Sequence, residues 1–265
     1  MQRSPLVFAL QLLVTLLAAA FLVVPAAQSI LAGLTVNYFQ GLRSGLTLDW
    51  VAQVWGLYAP TILRSILLAL ATLGVTLLIG VPAGWALARK PGRLSRLVEE
   101  VVTLPVAIPG LALALGLILA YGGIREFRAS VAFILVGHVL YTLPFMLRSV
   151  MAVLAAIDVR TLEEGAASLG ASPWQRFIQV VVPNARPGIL AGSLMVVTLS
   201  IGEFNLTWML HTPLTQTLPV GLADSYASMR LEIASAYTLV FFLMIVPLLI
   251  AIQIMGGEKR AKKRK

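Results

Sequence analysis

Six stretches of this chain are apolar for about twenty residues or more, and nothing else in the sequence limits the possible folds as strongly. They lie near 6–27, 60–88, 98–122, 130–156, 187–210 and 234–255. A helix rising 1.5 Å per residue needs about 20 residues to cross the roughly 30 Å hydrocarbon core of a bilayer. Only helices and closed barrels satisfy their backbone hydrogen bonds there. The stretch 60–88 is longer than the core is thick, so it tilts or protrudes. Pro82, Pro105, Pro109, Pro144 and Pro247 fall in or near these stretches. Membrane helices tolerate them because neighbouring helices and side chains satisfy the freed carbonyls.

Composition closes off the soluble alternative. Of the 265 residues, 12% are charged and 59% hydrophobic. A soluble domain carries about 25% charged residues to solvate its surface. The expected fold is therefore an all-α integral membrane protein with six transmembrane helices in a single domain, 1–265. Its first helix and periplasmic segment occupy 1–59, its core spans 60–255 and its basic tail 256–265. The first stretch, with Arg3 ahead of it and VVPAAQS after it, has some features of a cleaved signal. Its apolar run exceeds a signal core, so a retained helix is expected. The chain contains no cysteine, which rules out disulfides and thiol chemistry.

Lysine and arginine set the orientation. With the N-terminus inside, the inner side holds Arg3, Arg89, Lys90, Arg93, Arg96, Arg148, Arg160, Arg176, Arg186 and the six basic residues of EKRAKKRK. The outer side holds only Arg43, Arg64, Arg125, Arg128 and Arg230. This bias places both termini in the cytoplasm. The tail, next to an apolar helix, reads as an orientation signal or lipid contact rather than a nucleic-acid site.

The longest inward connection is polar and turn-rich: EEGAASLGASPWQRFIQVVVP, residues 163–183. Asp158 or Thr161 can cap a short helix there, with Glu163 and Glu164 favourable in its opening turn. Ala166, Ala167 and Leu169 continue it, and Gly170 is a natural stop because it reaches left-handed angles without a Cβ clash. Ser172 can cap a second helix with Pro173 in its first position. Trp174, Phe177 and Ile178 give that helix an apolar side, and Pro183 and Pro187 bracket the entry to the fifth span. The residues predict either a helical elbow with a small-residue face suited to docking in a partner's groove, or an ordinary ordered loop.

This stretch resembles the cytoplasmic signature loop of binding-protein-dependent ABC importer permeases. That pattern is Glu-Ala-Ala, three residues, Gly, nine residues, then Ile-x-Leu-Pro. Here it falls on Glu164, Gly165, Ala166, Gly170, Val180, Val182 and Pro183, with Gly165 replacing the usual Ala. The resemblance implies a type I ABC importer permease fold. It implies that the elbow is a coupling helix seated in a cleft of a cytoplasmic ABC ATPase dimer. The contact would involve Glu163, Glu164, Gly165, Ala166, Ala167, Gly170, Trp174 and Pro183. It further implies a second permease subunit, a homologue of this chain, an extracytoplasmic substrate-binding protein, and the inner membrane of a bacterium. ATP and Mg would be bound by the partner ATPase and no cofactor by this chain, which has no G-x-x-x-x-G-K-[ST] segment.

Two other classes of membrane protein make different demands on the residues. An intramembrane hydrolase needs a placed Ser and His pair or clustered metal ligands. The only histidines, His138 and His211, have no second His or Cys nearby, and read as a bundle contact and an interfacial residue. An ion-coupled secondary transporter would carry several ionisable groups at mid-membrane. Only Glu203 is clearly intramembrane, with Arg148 near the inner surface. Ser200, Glu203 and Thr207 share one helix face, with Asn205 on another edge. These four residues are the candidate gate or pathway.

The segment GEFNLTWMLHTPLTQTLPVGL, 202–222, is similar to permeases of spermidine, putrescine and 2-aminoethylphosphonate importers, and more loosely to those for ferric iron and oxyanions. The resemblance implies a polyamine or aminophosphonate cargo. It also implies that Thr217, Leu218 and Pro219 lie where the binding protein could touch them.

Overall fold

The computed structural model describes residues 5–261, with side chains from Leu6 to Ile254. The side chains of the basic tail, 256–265, lie outside the described residues. In order, α1 covers Pro5–Ala32, a 3-10 turn Gly41–Ser44, α2 Asp49–Arg89, α3 Arg93–Ala107 and α4 Gly110–Tyr121. Then follow α5 Arg125–Arg128, α6 Val131–Ala155, α7 Val159–Ser168 and α8 Pro173–Arg176. A π-turn at Phe177–Val181 leads into α9 Val182–Ile201, α10 Asn205–Leu210, α11 Leu218–Ala227 and α12 Leu231–Ala261. Among the described residues, five helices are long and apolar enough to span a bilayer, or six if α3 and α4 form one broken span.

Three spans differ from their expected form. The third, expected to be continuous over 98–122, breaks at Ile108–Pro109 and bends by 106°. Proline forces the preceding residue out of the helical region, and Ile108 sits at φ −89°, ψ 130°. The second begins at Asp49, eleven residues before its expected start, and runs 41 residues. At 1.5 Å per residue that is about 60 Å, so it extends well past the hydrocarbon. The fifth starts early and stops early. Helical backbone runs from Pro173 through the π-turn and both Pro183 and Pro187 to Ile201, then breaks at Gly202–Phe204. Pro183 lies in the first turn of α9, directly after the π-turn.

The chain divides into two compact units. The smaller comprises residues through Ala59 and Gly221–Leu243. In it, a Cβ on Gly33 would collide with the Ala236 backbone, so α1 and α12 meet at backbone distance. Glu232 accepts a hydrogen bond from the Tyr38 N–H at 2.8 Å, and Arg230 donates to the Tyr58 hydroxyl at 3.0 Å. The apolar window of α1 is exposed on every side.

The larger unit, Pro60–Val220 with the residues from Met244 onward, is built around α6. Two Gly-x-x-x-Gly pairs bring helices against it. On α2, Cβ atoms at Gly80 and Gly84 would meet Met146 at 2.8 Å and Val150 at 3.0 Å. On α9, a Cβ at Gly192 would meet Met146 Sδ at 2.7 Å, and one at Gly188 would overlap the Ser149 carbonyl. Within lipid there is no hydrophobic drive between helices, so such close contact supplies the packing energy. An apolar cluster around Met146, Val150, Leu154 and Val181 fills one end of the unit. Another, around Phe133, Ile134, Leu206 and Leu210, fills the other. Between them, Thr72, His138, Thr142, Ser200 and Thr207 form a buried polar layer.

Candidate functional site

The elbow forms as its local residues dictate. The Asp158 carboxylate accepts the Thr161 N–H at 3.2 Å and the Thr161 hydroxyl at 2.6 Å. Those bonds, the hydroxyl's first, hold its carboxyl below the usual carboxylate range. Gly170, at φ +84°, ends α7. Its N–H bonds the Ala167 carbonyl and the Ala171 N–H bonds Ala166, the paired closure that satisfies the last carbonyls of a helix. Ser172 and Gln175 then cap α8 reciprocally, at 3.3 and 2.8 Å, with Pro173 in its first turn.

The two faces of α7 differ in exposure. Leu162, Gly165 and Leu169 recur at i, i+3 and i+7 and are all exposed, Leu169 at 90%. Trp174 follows at 70% exposure. Ala167 and Gly170 are exposed as well, Ala166 half-buried. Nothing lies within 4 Å of a Cβ on Gly165. Glu164 is exposed and pairs with Arg160 at 2.8 Å. That contact raises the guanidinium's pKa further, but an exposed pair is a weak tie and leaves Glu164 available.

Glu163 differs from its neighbours. Like Glu164, it is in the second turn of α7 and not the opening one, but its side chain is 1% exposed. Its place on the helix puts it beside Val159, against α2, and it therefore does not belong to the open face expected from sequence. Its partners, Trp85 and Arg89, escaped sequence reasoning because nothing local links residues so far apart. Leu162 and Leu169 were also missed, although their seven-residue spacing around Gly165 was a legible sign. Pro183 is not in a loop but within the continuous helix into α9.

The second candidate site is the broken fifth span. Gly202 closes α9, and the Glu203 carboxylate turns onto the first turn of α10. Oε1 accepts the Leu206 N–H at 2.8 Å. Oε2 accepts the Thr207 N–H at 2.8 Å and the Thr207 hydroxyl at 2.7 Å. These N–H groups have no partner within the helix, so the carboxylate completes them. Thr207 has one hydroxyl proton and gives it to Glu203, so it accepts from His138 Nε2, 2.8 Å away. In the neutral imidazole, Nδ1 then accepts from Ser200, also at 2.8 Å. Ser200 lies 3.4 Å from Thr72 of α2. Ser200, Glu203 and Thr207 thus converge as expected, but around His138, and across a helix break rather than along one helix. Asn205 is exposed and outside this network. A Cβ on Gly110, at the start of α4, would come 3.3 Å from Asn205 Cβ.

The far end of α10 is held by Arg128, which donates to the carbonyls of Leu210 at 2.7 Å and Met209 at 3.2 Å. Arg64 donates to Gln216 at 2.6 Å, and Ser65 accepts the Leu218 N–H at 2.7 Å. Thr217 and Leu218 are consequently buried. Pro219, the third residue singled out with them, is half-buried. Arg148 pairs with Glu99 of α3 at 3.2 Å.

The fold matches a bacterial ABC transporter involved in import of the acidic polysaccharide alginate, with TM-score 0.70 and 17% identity, covering 96% of this chain and 95% of that one. The two chains thus share one fold along almost their whole length. The family model described as binding-protein-dependent transport system inner membrane component matches residues 80–258, and the chain belongs to that family: it is a multi-pass permease subunit of an ABC importer. Among relatives is PhnV of Salmonella typhimurium, named as a permease of a 2-aminoethylphosphonate transport system. It is 29% identical over 242 residues, 91% of this chain and 90% of PhnV. The molybdenum transport system permease ModB of Azotobacter vinelandii is 32% identical over 187 residues, 65% of this chain and 81% of ModB.

Proposed function

We propose that this permease passes a small solute bearing a tetrahedral oxyanion group, 2-aminoethylphosphonate first among them. The observation that carries the reading is the match to PhnV along nine-tenths of both chains. ModB points the same way, since molybdenum travels in water as an oxyanion. The spermidine and putrescine resemblance shares only the ammonium end of an aminophosphonate. The test is calorimetric titration of the cognate extracytoplasmic binding protein with 2-aminoethylphosphonate, molybdate, sulfate, spermidine and putrescine, followed by uptake in proteoliposomes. Saturable binding and ATP-dependent uptake of the phosphonate are expected. Response to spermidine or putrescine alone would overturn the oxyanion reading. Uptake driven by an ion gradient without ATP would favour a secondary transporter.

In the same reading, the exposed face of Leu162, Gly165, Leu169 and Trp174 seats in a cleft of an ATPase dimer that binds ATP and Mg, with Glu164 at its edge. Aromatic anchors such as Trp174 carry much of the energy of an interface. A second permease, a homologue, completes the pathway. Both termini are cytoplasmic. The supporting feature is a cavity of about 930 Å³ beside the elbow that gathers Arg89, Arg96, Arg148 and Arg160, all assigned inward by charge. Arg64 and Arg128, assigned outward, bind the 209–216 segment instead.

A further inference from the structure

The elbow holds one buried charge that docking leaves unused. Every other charged side chain on α7 is turned outward: Arg160 is 73% and Glu164 63% exposed. Glu163 points the opposite way, at the last turns of α2. Its Oε1 accepts the Trp85 indole N–H at 3.1 Å. Arg89 Nε lies 3.2 Å from Oε2 as an ion pair, and no hydrogen-bond donor is aligned on that oxygen. Trp85 and Arg89 are four residues apart and so lie on one face of α2. The Arg89 guanidinium also lies over the Trp85 ring, at 5.8 Å. From the other side, Trp85 packs on Phe177 at 5.0 Å and Phe177 on Trp174 at 5.9 Å. The end of α2 is therefore gripped between α7 and the helix that leads into α9.

We propose that Glu163 is a positioning residue that carries the elbow's displacement to α2. The proposal rests on the reading of the elbow as the ATPase-docking element, and it names the helix that receives the motion. Along the chain, the elbow is joined only to α6, through Ala156–Asp158, and to α9. Glu163 adds a third, non-covalent attachment. Within the larger unit, α2 stays helical from Arg89 through Pro82 to the polar layer. There Thr72 faces Ser200 of the His138 network. Further on, Arg64 and Ser65 hold Gln216 and Leu218. A helix transmits axial and rotational displacement because its hydrogen-bonded turns deform little. A shift imposed on Glu163 therefore reaches both the broken fifth span and the segment that follows it. An unpaired carboxylate would be strongly disfavoured at this depth, so Glu163 and Arg89 move together or not at all.

The test measures substrate moved per ATP hydrolysed by the full transporter in proteoliposomes, normalised to the amount of assembled ATPase. Glu163→Gln keeps an acceptor for Trp85 and removes the ion pair. The ratio is expected to fall roughly three- to tenfold, the range that coupling residues remote from both ligands produce. A second variant joins Arg89→Cys with Glu163→Cys on this cysteine-free chain. Transport per ATP should be low with the thiols free and recover when a short bis-methanethiosulfonate bridges them. Recovery would not follow if the pair only filled space. A wild-type ratio in both Glu163→Gln and the unbridged double variant would overturn the proposal. So would loss of assembly in both that bridging does not relieve, which would show a folding role alone. Gly165→Arg separates the two readings, because nothing lies within 4 Å of a Cβ there, and its bulk obstructs the docking face and should prevent ATPase recovery. Normal recovery in that variant would remove the docking reading itself. Blocked recovery, with normal coupling in the Glu163 variants, would remove only the link to α2.

Discussion

Glu203 and His138 are an acid and a base at membrane depth, joined through the Thr207 hydroxyl, which lies 2.7 Å from the one and 2.8 Å from the other. The Glu203 carboxylate accepts three hydrogen bonds from the first turn of α10, so its charge is matched by donors of its own chain. Glu203→Gln keeps the size but places an amide NH2 against those donors. Lost bonds to a charged acceptor cost about 1.5–3 kcal/mol each, so a lowered melting temperature in detergent and reduced uptake are expected together. His138→Leu strips partners from Ser200 and Thr207 in the same network and should be destabilising by about 1–3 kcal/mol. The double variant should lose less than the sum of the two, because the residues share Thr207. Additive losses would sink the network. Wild-type melting with reduced uptake for Glu203→Gln would instead point to a charge that acts on the cargo.

At the scale of elements, the fold depends on how closely α2 and α9 approach α6. Helices at this spacing have no room for a methyl group at Gly188, whose Cβ would overlap the Ser149 carbonyl. The obstacle is backbone, which cannot rotate away. Gly188→Ala should therefore cost about 1–3 kcal/mol by overpacking. Gly116→Ala, with nothing within 4 Å of its added Cβ, should be neutral or stabilising, since alanine is the better helix former by about 1 kcal/mol. Thermal unfolding of the two variants decides it, and equal melting temperatures would show that α9 does not rest on α6 in this way. The Gly-x-x-x-Gly spacing of 80/84 and 188/192 stood in the sequence all along. Spacing alone, however, does not say which helix a pair faces. Pro109 likewise marks a break, but not its 106° bend.

For the whole molecule, the decisive prediction is topology. Single cysteines at 93 and 128 on the cysteine-free chain should label from opposite sides. Position 128 is expected to react with an impermeant maleimide from outside and 93 only after permeabilisation. Labelling of 128 from inside alone would overturn the positive-inside orientation and with it the cytoplasmic elbow. Lys262, the natural marker for the C-terminus, lies outside the described residues and extends the same test to the tail.

The sequence by itself determined the solvent, the helices and the caps. Long apolar runs admit no other backbone in lipid. Local chemistry at Asp158, Gly170 and Ser172–Gln175 builds the elbow from neighbours within a few residues of one another. The family resemblance rested on that same local stretch, and so it survived into three dimensions. Contacts between distant residues were decided only by the tertiary structure. Glu163 and Glu164 are adjacent and identical in type, yet one is buried and the other exposed, because a helix turns about 100° per residue and only one of the two faces α2. Ser200, Thr207 and Glu203 read as one helical face, but the chain breaks at Gly202, and it is His138, from another helix, that draws them together. Such partners have no local signature, since packing chooses them across more than sixty residues of sequence.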